Sequence, residues 1–379
     1  MRGTSVRTAV RTAVRTAVRT APTTATENPG ALRTGVTATG VMRPLRAVAV
    51  LAGLLLTATA CVSGESADGS AAADAKTGGG SVTVRLDWAY YNPESLVLKE
   101  KGWLGDTLSG QDATVTWTQS LGSNKANENL RAGAIDFGST AGTPALLARA
   151  NGTELHTVDV YSRPEWSSLV VAKGSPLRSV KDLKGHKVAV TKGTDPYFFL
   201  LQALESAGLD AGDVTVVNLQ HADGRTALER GDVDAWAGLD PYLSQSQIEN
   251  GSRLIYRNLA FNSYGFLNVS ADFEQKHPEL VQTVVDGYEK ARAWIIAHPD
   301  EAVRLLAEES KVSEAVARQQ LTERTELDVS PVPGDEQRAV LERIAPVLVE
   351  ENLVPDRKAV DGALDSLFLP EYARKADPS

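Results

Sequence analysis

From residue 82 onward, short runs of β-branched and aromatic residues alternate with longer stretches of helical pattern, and this alternation limits the available architectures more than any other feature. Val82–Trp88 reads as a strand. Asn92-Pro93 then opens a helix through 101, a capping side chain followed by a proline whose missing N–H is harmless in a first turn. Further strands are predicted over 114–118, 135–138, 155–161 and 168–171, with helices over 125–132 and 144–150 among them. A second series places strands over 187–191, 214–218, 235–237 and 253–256, and helices over 197–207, 223–230 and 241–250. One more strand is predicted over 264–269, and helix dominates from 271 on. Such alternation implies parallel sheets covered by helices on both faces. This part of the chain is about 300 residues, enough for two units with real cores.

The extended runs at 168–171 and 264–269 bracket the middle series. If each crosses between units, residues 81–171 and 265–379 form a discontinuous lobe I and residues 172–264 form lobe II. The α/β fold class then has two lobes joined by two crossover strands, with a ligand cleft between them suited to hinge closure.

The first 80 residues follow different rules. Residues 6–21 repeat Val-Arg-Thr-Ala four times, a basic pattern with too little apolar surface to fold. Residues 1–41 are therefore expected to be disordered, either a start-site artefact ahead of Met42 or a basic tail. Residues 42–60 have the layout of a secretory signal peptide: Arg43 and Arg46, a short apolar run, then small residues. Ala58-Thr59-Ala60-Cys61 resembles a bacterial lipobox, which implies lipidation of Cys61 and anchoring at the outer face of the cell membrane. Residues 61–80 read as a flexible Ser/Gly/Ala/Asp tether.

Residues 1–60 hold eight arginines and one acid, so of 39 basic and 48 acidic residues the remainder keeps 31 and 47. An acidic exported domain argues against a nucleic-acid partner, because phosphate binding needs a concentrated basic surface. A single cysteine excludes an internal disulfide, and the scattered histidines show no metal-ligand spacing. No cofactor is expected. Neither a Gly-x-Ser-x-Gly elbow nor a phosphate-binding Gly-x-x-x-x-Gly-Lys-Ser/Thr loop is present, so binding rather than catalysis is expected.

Ligands of open α/β sheets bind beyond the carboxyl ends of the strands, where helix N-termini favour anions. The strand-to-helix loops therefore supply the candidates: Tyr91 and Asn92; Ser139 and Thr140; Arg163 and Trp166; Thr191, Thr194 and Asp195; and Asp240. Gly138-Ser139-Thr140 is expected as a small turn whose N–H groups could approach an oxyanion. The same Ser, Thr and Gly residues also serve as ordinary turn and cap residues. Asp223 and Asp240 read either as helix caps or as ligand contacts. Arg163 reads either as an anion partner or as half of an ordinary ion pair. Trp166, Trp236, Tyr90 and Tyr91 suit either a pocket for an apolar tail or the core.

The segments 132–140 (Ala-Gly-Ala-Ile-Asp-Phe-Gly-Ser-Thr), 179–188 (Ser-Val-Lys-Asp-Leu-Lys-Gly-His-Lys-Val), 192–195 (Lys-Gly-Thr-Asp) and 222–242 resemble the aliphatic-sulfonate-binding proteins. These are solute-binding components of ABC importers, close to taurine, nitrate and thiamine-precursor binders. The most specific part is Asp-Val-Asp-Ala-Trp236 leading to Asp240-Pro. The resemblance implies a type II periplasmic-binding-protein fold, a small anionic ligand such as an alkanesulfonate, an ABC permease with its ATPase as partners, and a monomer. Carried over by motif, Ser139, Thr140, Thr194 and Trp236 are expected to line the cleft, with Trp236 and Tyr91 against the carbon chain. The alternatives are another small anion or organosulfur compound, or an enzyme on the same two-lobe fold.

Overall fold

The computed structural model describes residues 81–379. Cys61, the repeat at 6–21, the segment 42–60 and the tether at 61–80 lie outside the described residues. Eleven strands are described: β1 (Val82–Trp88), β2 (Ala113–Gln119), β3 (Phe137–Ala141), β4 (Leu155–Pro164), β5 (Ser167–Val171), β6 (Lys187–Val190), β7 (Thr215–Asn218), β8 (Ala235–Leu239), β9 (Arg253–Tyr256), β10 (Gly265–Ser270) and β11 (Thr325–Glu326). They form two sheets, ordered β11-β4-β10-β3-β1-β2 and β7-β6-β8-β5-β9.

The two sheets follow one plan. Each has three parallel strands, β2-β1-β3 and β7-β6-β8, and beside them an antiparallel strand that arrives from the other lobe. In the first sheet that strand is β10, between β3 and β4; in the second it is β5, between β8 and β9. The sheets are thus mixed rather than parallel, because a chain returning from the opposite lobe enters running the other way. This also moves one expected boundary. All of β5 hydrogen-bonds inside the second sheet, so the first crossing lies at Glu165-Trp166 and residues 167–171 belong with lobe II rather than lobe I. At the second crossing, β10 starts at Gly265 in the first sheet.

Local chemistry sets the elements. Asn92 Oδ1 accepts from Ser95 N at 3.0 Å, Pro93 fills the first turn, and Gly102 ends the helix Pro93–Lys101 in the left-handed region at φ 72°. Helix Pro278–Ala297 buries Leu280, Val281, Val284, Val285, Tyr288, Ala291 and Ile295, a stripe at three- and four-residue spacing. After the buried Ala113, edge strand β2 alternates exposed and half-buried residues, whereas β3, β5 and β8 are buried throughout.

The largest apolar core crosses the lobe boundary. Leu146 of helix Gly142–Ala150, Phe198 and Leu201 of helix Asp195–Ser206, and Leu341, Ile344 and Leu348 of helix Asp335–Glu350 share one cluster. A second core belongs to the first sheet, and a smaller one around Trp236 belongs to the second. Among the described residues, no helix is long and apolar enough to cross a membrane.

Trp236 is wholly buried against helix His221–Arg230, where a Cβ on Gly224 would lie 2.7 Å from its Nε1 and 2.9 Å from its Cδ1. The indole is rigid and enclosed, so Gly224→Ala must displace it, at about 1–3 kcal/mol. That outweighs the ~1 kcal/mol gained in helix propensity. A lowered melting temperature in calorimetry is the expected result.

Candidate functional site

The loops at the carboxyl ends of the parallel strands meet between the lobes. A Cβ on Gly122 would lie 2.8 Å from Asn124 Oδ1 and 3.0 Å from Nε2 of His221, so only glycine lets this first-lobe loop rest against the second lobe. Gly193 faces Asn124 from the second lobe; a Cβ there would make ordinary contact at 3.6 Å, and it is the left-handed φ of 77° that favours glycine. Three helices begin around this contact with no side-chain cap: Ser123–Arg131, Asp195–Ser206 and His221–Arg230. Uncapped first turns present N–H groups and partial positive charge, least so at Asp195–Ser206, where Pro196 has no N–H and Asp195 brings a carboxylate. Four polar atoms there are buried without a protein partner: Ser120 Oγ, Asn124 Oδ1, Gln220 Oε1 and His221 Nε2. Buried polar atoms rarely stay unpaired, so this set marks a place that accommodates a polar group.

The charge state of the site follows from its hydrogen bonds. Thr191 Oγ1 donates to the Leu219 carbonyl at 2.7 Å and lies 3.2 Å from His221 Nδ1. With its one proton committed, Thr191 accepts from Nδ1–H, which leaves the Nε2 lone pair facing Gly122. Burial pulls the His221 pKa down to about 3, so the ring is neutral. Because Thr191 donates to a carbonyl and not to the ring, His221 is not placed as its base. Beneath the loops, Asp87 accepts from Ser139 N and Oγ, both at 2.8 Å, and burial pushes its carboxyl up to about 6.

Next to this polar region lies a small apolar cluster drawn from both lobes: Ala89, Tyr91 and Ala141 with Trp166 and Leu239. The Tyr91 and Trp166 rings meet edge to face with centroids 6.0 Å apart, and Tyr91 is fixed by donating to the Ser139 carbonyl at 2.9 Å. Trp166 is fixed by donating from Nε1 to Asp195 Oδ2 at 2.9 Å. An aromatic floor beside three helix N-termini suits a ligand with an anionic head and an apolar tail.

The residues expected from sequence divide sharply. Tyr91, Trp166, Thr191 and Thr194 come together around this region. Thr194 turns its hydroxyl back to the Thr191 carbonyl at 2.6 Å. Ser139 and Thr140, expected in a turn, lie within β3, paired with Leu267 and Phe266 of β10. Ser139 Oγ is taken by Asp87 and by Asn92 Nδ2, and Thr140 Oγ1 accepts from Asn268 Nδ2 at 2.7 Å, because strand pairing turns these side chains onto neighbouring strands. Asn92 serves as a helix cap. Trp236 packs in the lobe II core rather than between the lobes, since its position on β8 faces helix His221–Arg230. Arg163 is exposed, its guanidinium 5.5 Å over the Tyr264 ring. Asp195 is taken up by Trp166 and Ser263. Asp240 caps helix Tyr242–Asn250 through Ser244 N at 2.8 Å and also meets Arg324, a residue the sequence reading did not single out. The motif-based expectations thus falter where a residue lies in a strand instead of a loop. Among the described residues, no group of His, Cys, Asp and Glu is arranged to hold a metal ion.

The chain resembles known proteins over nearly all of the described region. A family model described as NMT1/THI5 like matches residues 95–302. The chain belongs to this family. A relative from Escherichia coli K12 named an aliphatic sulfonates-binding protein is 31% identical over 289 residues, covering 73% of this chain and 90% of the relative. Among solved structures, the alkanesulfonate-binding protein SsuA from Xanthomonas axonopodis pv. citri, bound to MOPS, is 26% identical with a TM-score of 0.68 and covers 74% of this chain and 97% of its own. The periplasmic aliphatic sulphonate binding protein SsuA from Escherichia coli is 28% identical with a TM-score of 0.65, covering 76% and 92%. The NMT1/THI5-like match takes in both crossings and all of the second lobe, and stops before Arg324. The two-lobe binding-protein fold expected from sequence is therefore the fold of this chain.

Behind Asn92 the family fold here encloses a group of charges. Arg292 Nη2 lies 3.3 Å from Asp159 and 2.8 Å from Glu289, and also donates to the Val160 carbonyl at 2.5 Å. Both Glu94 oxygens are buried with no hydrogen-bond partner. An arginine inside the apolar stripe of helix Pro278–Ala297 is the sequence signal for this group. Burial pushes the Glu94 carboxyl up to about 8, Arg292 opposing this and Glu289 adding to it. Burial and then the Glu289 carboxylate hold Asp159 well above its ordinary range.

Glu94 thus binds its proton more tightly folded than unfolded, where its ordinary value is 4.5. Its contribution to stability is fully present below that value and is lost as pH rises toward about 8. Glu94→Gln removes a slope of up to ~1.4 kcal/mol per pH unit. Melting curves should show the variant gaining on the wild type from pH 5 to pH 8. Parallel curves would refute the assignment.

Proposed function

We propose that this chain is the exported solute-binding component of an ABC importer and that it captures aliphatic sulfonates, delivering them to a membrane permease driven by its ATPase. The observation that carries this reading is the meeting of three uncapped helix N-termini beside the Tyr91–Trp166 floor. Backbone N–H groups and helix dipoles favour a sulfonate head without a dedicated cation, and the aromatic edge accepts a short alkyl chain. The names of the E. coli and Xanthomonas relatives support the same ligand class. Ser120 Oγ, which has no protein partner, would donate to the head group, while the Thr191 and Thr194 hydroxyls stay committed to carbonyls and only line it. In this reading the two lobes close on the ligand as a hinge, and Cys61 carries the lipid that holds the protein, as a monomer, at the outer face of the membrane.

A thermal-shift series with butanesulfonate, taurine, nitrate and sulfate tests the ligand class. A binding sulfonate at 100 times its dissociation constant should raise stability by about 2.7 kcal/mol. Shifts with nitrate or sulfate alone would move the assignment to another small anion. A chemically altered sulfonate recovered after incubation would instead identify an enzyme.

The anchor is tested separately. Cys61→Ala should move the protein from the membrane fraction to the soluble fraction with its sulfonate affinity unchanged. Retention of the variant at the membrane would remove the lipid from this reading.

A further inference from the structure

Besides the two chain crossings and the Asp195–Ser263 junction, the side chain of Arg324 joins the lobes at the hinge. Arg324 precedes β11, which pairs with β4 of the first sheet, and its own carbonyl accepts from Glu165 N at 2.7 Å, at the first crossing. Its guanidinium reaches into the second lobe. Nη1 lies 3.3 Å from both Asp240 oxygens and 3.2 Å from Ser244 Oγ, and Nη2 donates to Gln247 Oε1. The ion pair is buried, with 6% and 2% of its two side chains exposed.

The backbone feeding Arg324 is itself held to the first-lobe loops. Residues Gln319–Glu323 wind as a π-turn, a form often found at functional sites. From that turn, Gln320 Nε2 donates to the Tyr90 carbonyl at 2.7 Å, next to Tyr91 of the aromatic floor. The guanidinium meanwhile grips the start of helix Tyr242–Asn250. Asp240 Oδ1 already accepts from Ser244 N and Oγ, at 2.8 and 2.6 Å, so helix Tyr242–Asn250 keeps its cap without Arg324, which is the partner of Oδ2. The arginine's contribution is to the angle between the lobes.

We infer that Arg324 is a positioning residue: a non-covalent third strut that holds the lobes at the angle where Gly122 meets His221, and so sets how readily the cleft opens. A planar fork that engages a carboxylate, a hydroxyl and an amide together specifies an orientation, which a lysine ammonium does not. Leaving Asp240 without its cation, or Arg324 without its acceptors, is costly in a buried setting, so the strut biases the lobes toward the observed arrangement.

The test does not depend on the ligand. Spin labels at Arg131 of the first lobe and Arg230 of the second, both exposed, are placed in the full chain carrying Cys61→Ser, and pulsed dipolar spectroscopy reads the distance between lobes. Arg324→Ala should broaden and shift the distribution relative to the parent chain, with Arg324→Lys intermediate. Gln247→Ala, which leaves the ion pair intact, should give a smaller change in the same direction and keeps the test valid if the alanine variant folds poorly. Where a sulfonate binds the parent protein, its dissociation constant should rise about tenfold in Arg324→Ala, with Arg324→Lys again between. An unchanged distance distribution in folded variants, accompanied only by a lower melting temperature, would make Arg324 a static structural link and overturn the inference.

Discussion

The carboxylate of Asp195 accepts from both places where the chain passes between lobes: from Trp166 Nε1 at 2.9 Å, and from Ser263 N and Oγ at 2.7 and 2.6 Å. Ser263 Oγ in turn accepts from Thr143 N at 3.1 Å, at the start of a first-lobe helix. One buried group therefore ties both crossings to the helix Asp195–Ser206 and to the opposite lobe. Burial raises its pKa, and the donors from Ser263 and Trp166 oppose that rise. Because hydrogen bonds to a charged acceptor are strong and directional, this junction fixes where the two sheets pivot. The contact of Gly122 with His221 and the reach of Arg324 both follow from that pivot.

The sheet plan explains why the lobes are interdependent. The first sheet lacks the strand between β3 and β4 until the chain has built the second lobe and returned as β10. The second sheet takes β5 directly after the first crossing. A core shared by helices Gly142–Ala150, Asp195–Ser206 and Asp335–Glu350 then seals one side of the boundary. On the loop side, polar atoms such as Ser120 Oγ and His221 Nε2 are buried with no protein partner. The shared apolar core and the unpartnered polar loop atoms are thus separate features of one lobe boundary.

Most of the fold was legible in the sequence, because it rests on short-range patterns. β1, the cap Asn92 with Pro93, helix Pro93–Lys101 and strand β9 occur where periodicity and cap chemistry put them. The misplacements are instructive. Ser139 and Thr140 read as a turn because Gly, Ser and Thr favour turns, but pairing with β10 satisfies their backbone and draws them into β3. Strand 167–171 has the composition of a crossover, and only its antiparallel partners β8 and β9 assign it to the second lobe. Asp240 read as either a cap or a ligand contact; it is a cap that also holds an arginine 84 residues away in sequence.

What the sequence by itself determined is the set of elements, the two-lobe division and the loops that gather between the lobes. The elements and loops depend on patterns within about twenty residues, namely apolar period, caps and turn residues, and the division on the two extended runs that bracket the middle series. Only the tertiary structure decided which side chains of those loops remain available. A hydroxyl or carboxylate carries the same local signal whether it faces a ligand or a neighbouring strand. Ser139 is taken by Asp87 and Asn92, Asp195 by the hinge, and Trp236 by a core, each through a partner distant in sequence. Of the buried group of Glu94, Asp159, Glu289 and Arg292, only the arginine in an apolar stripe leaves a sequence signal, since the four members come from three separate elements that meet only when the first lobe is packed.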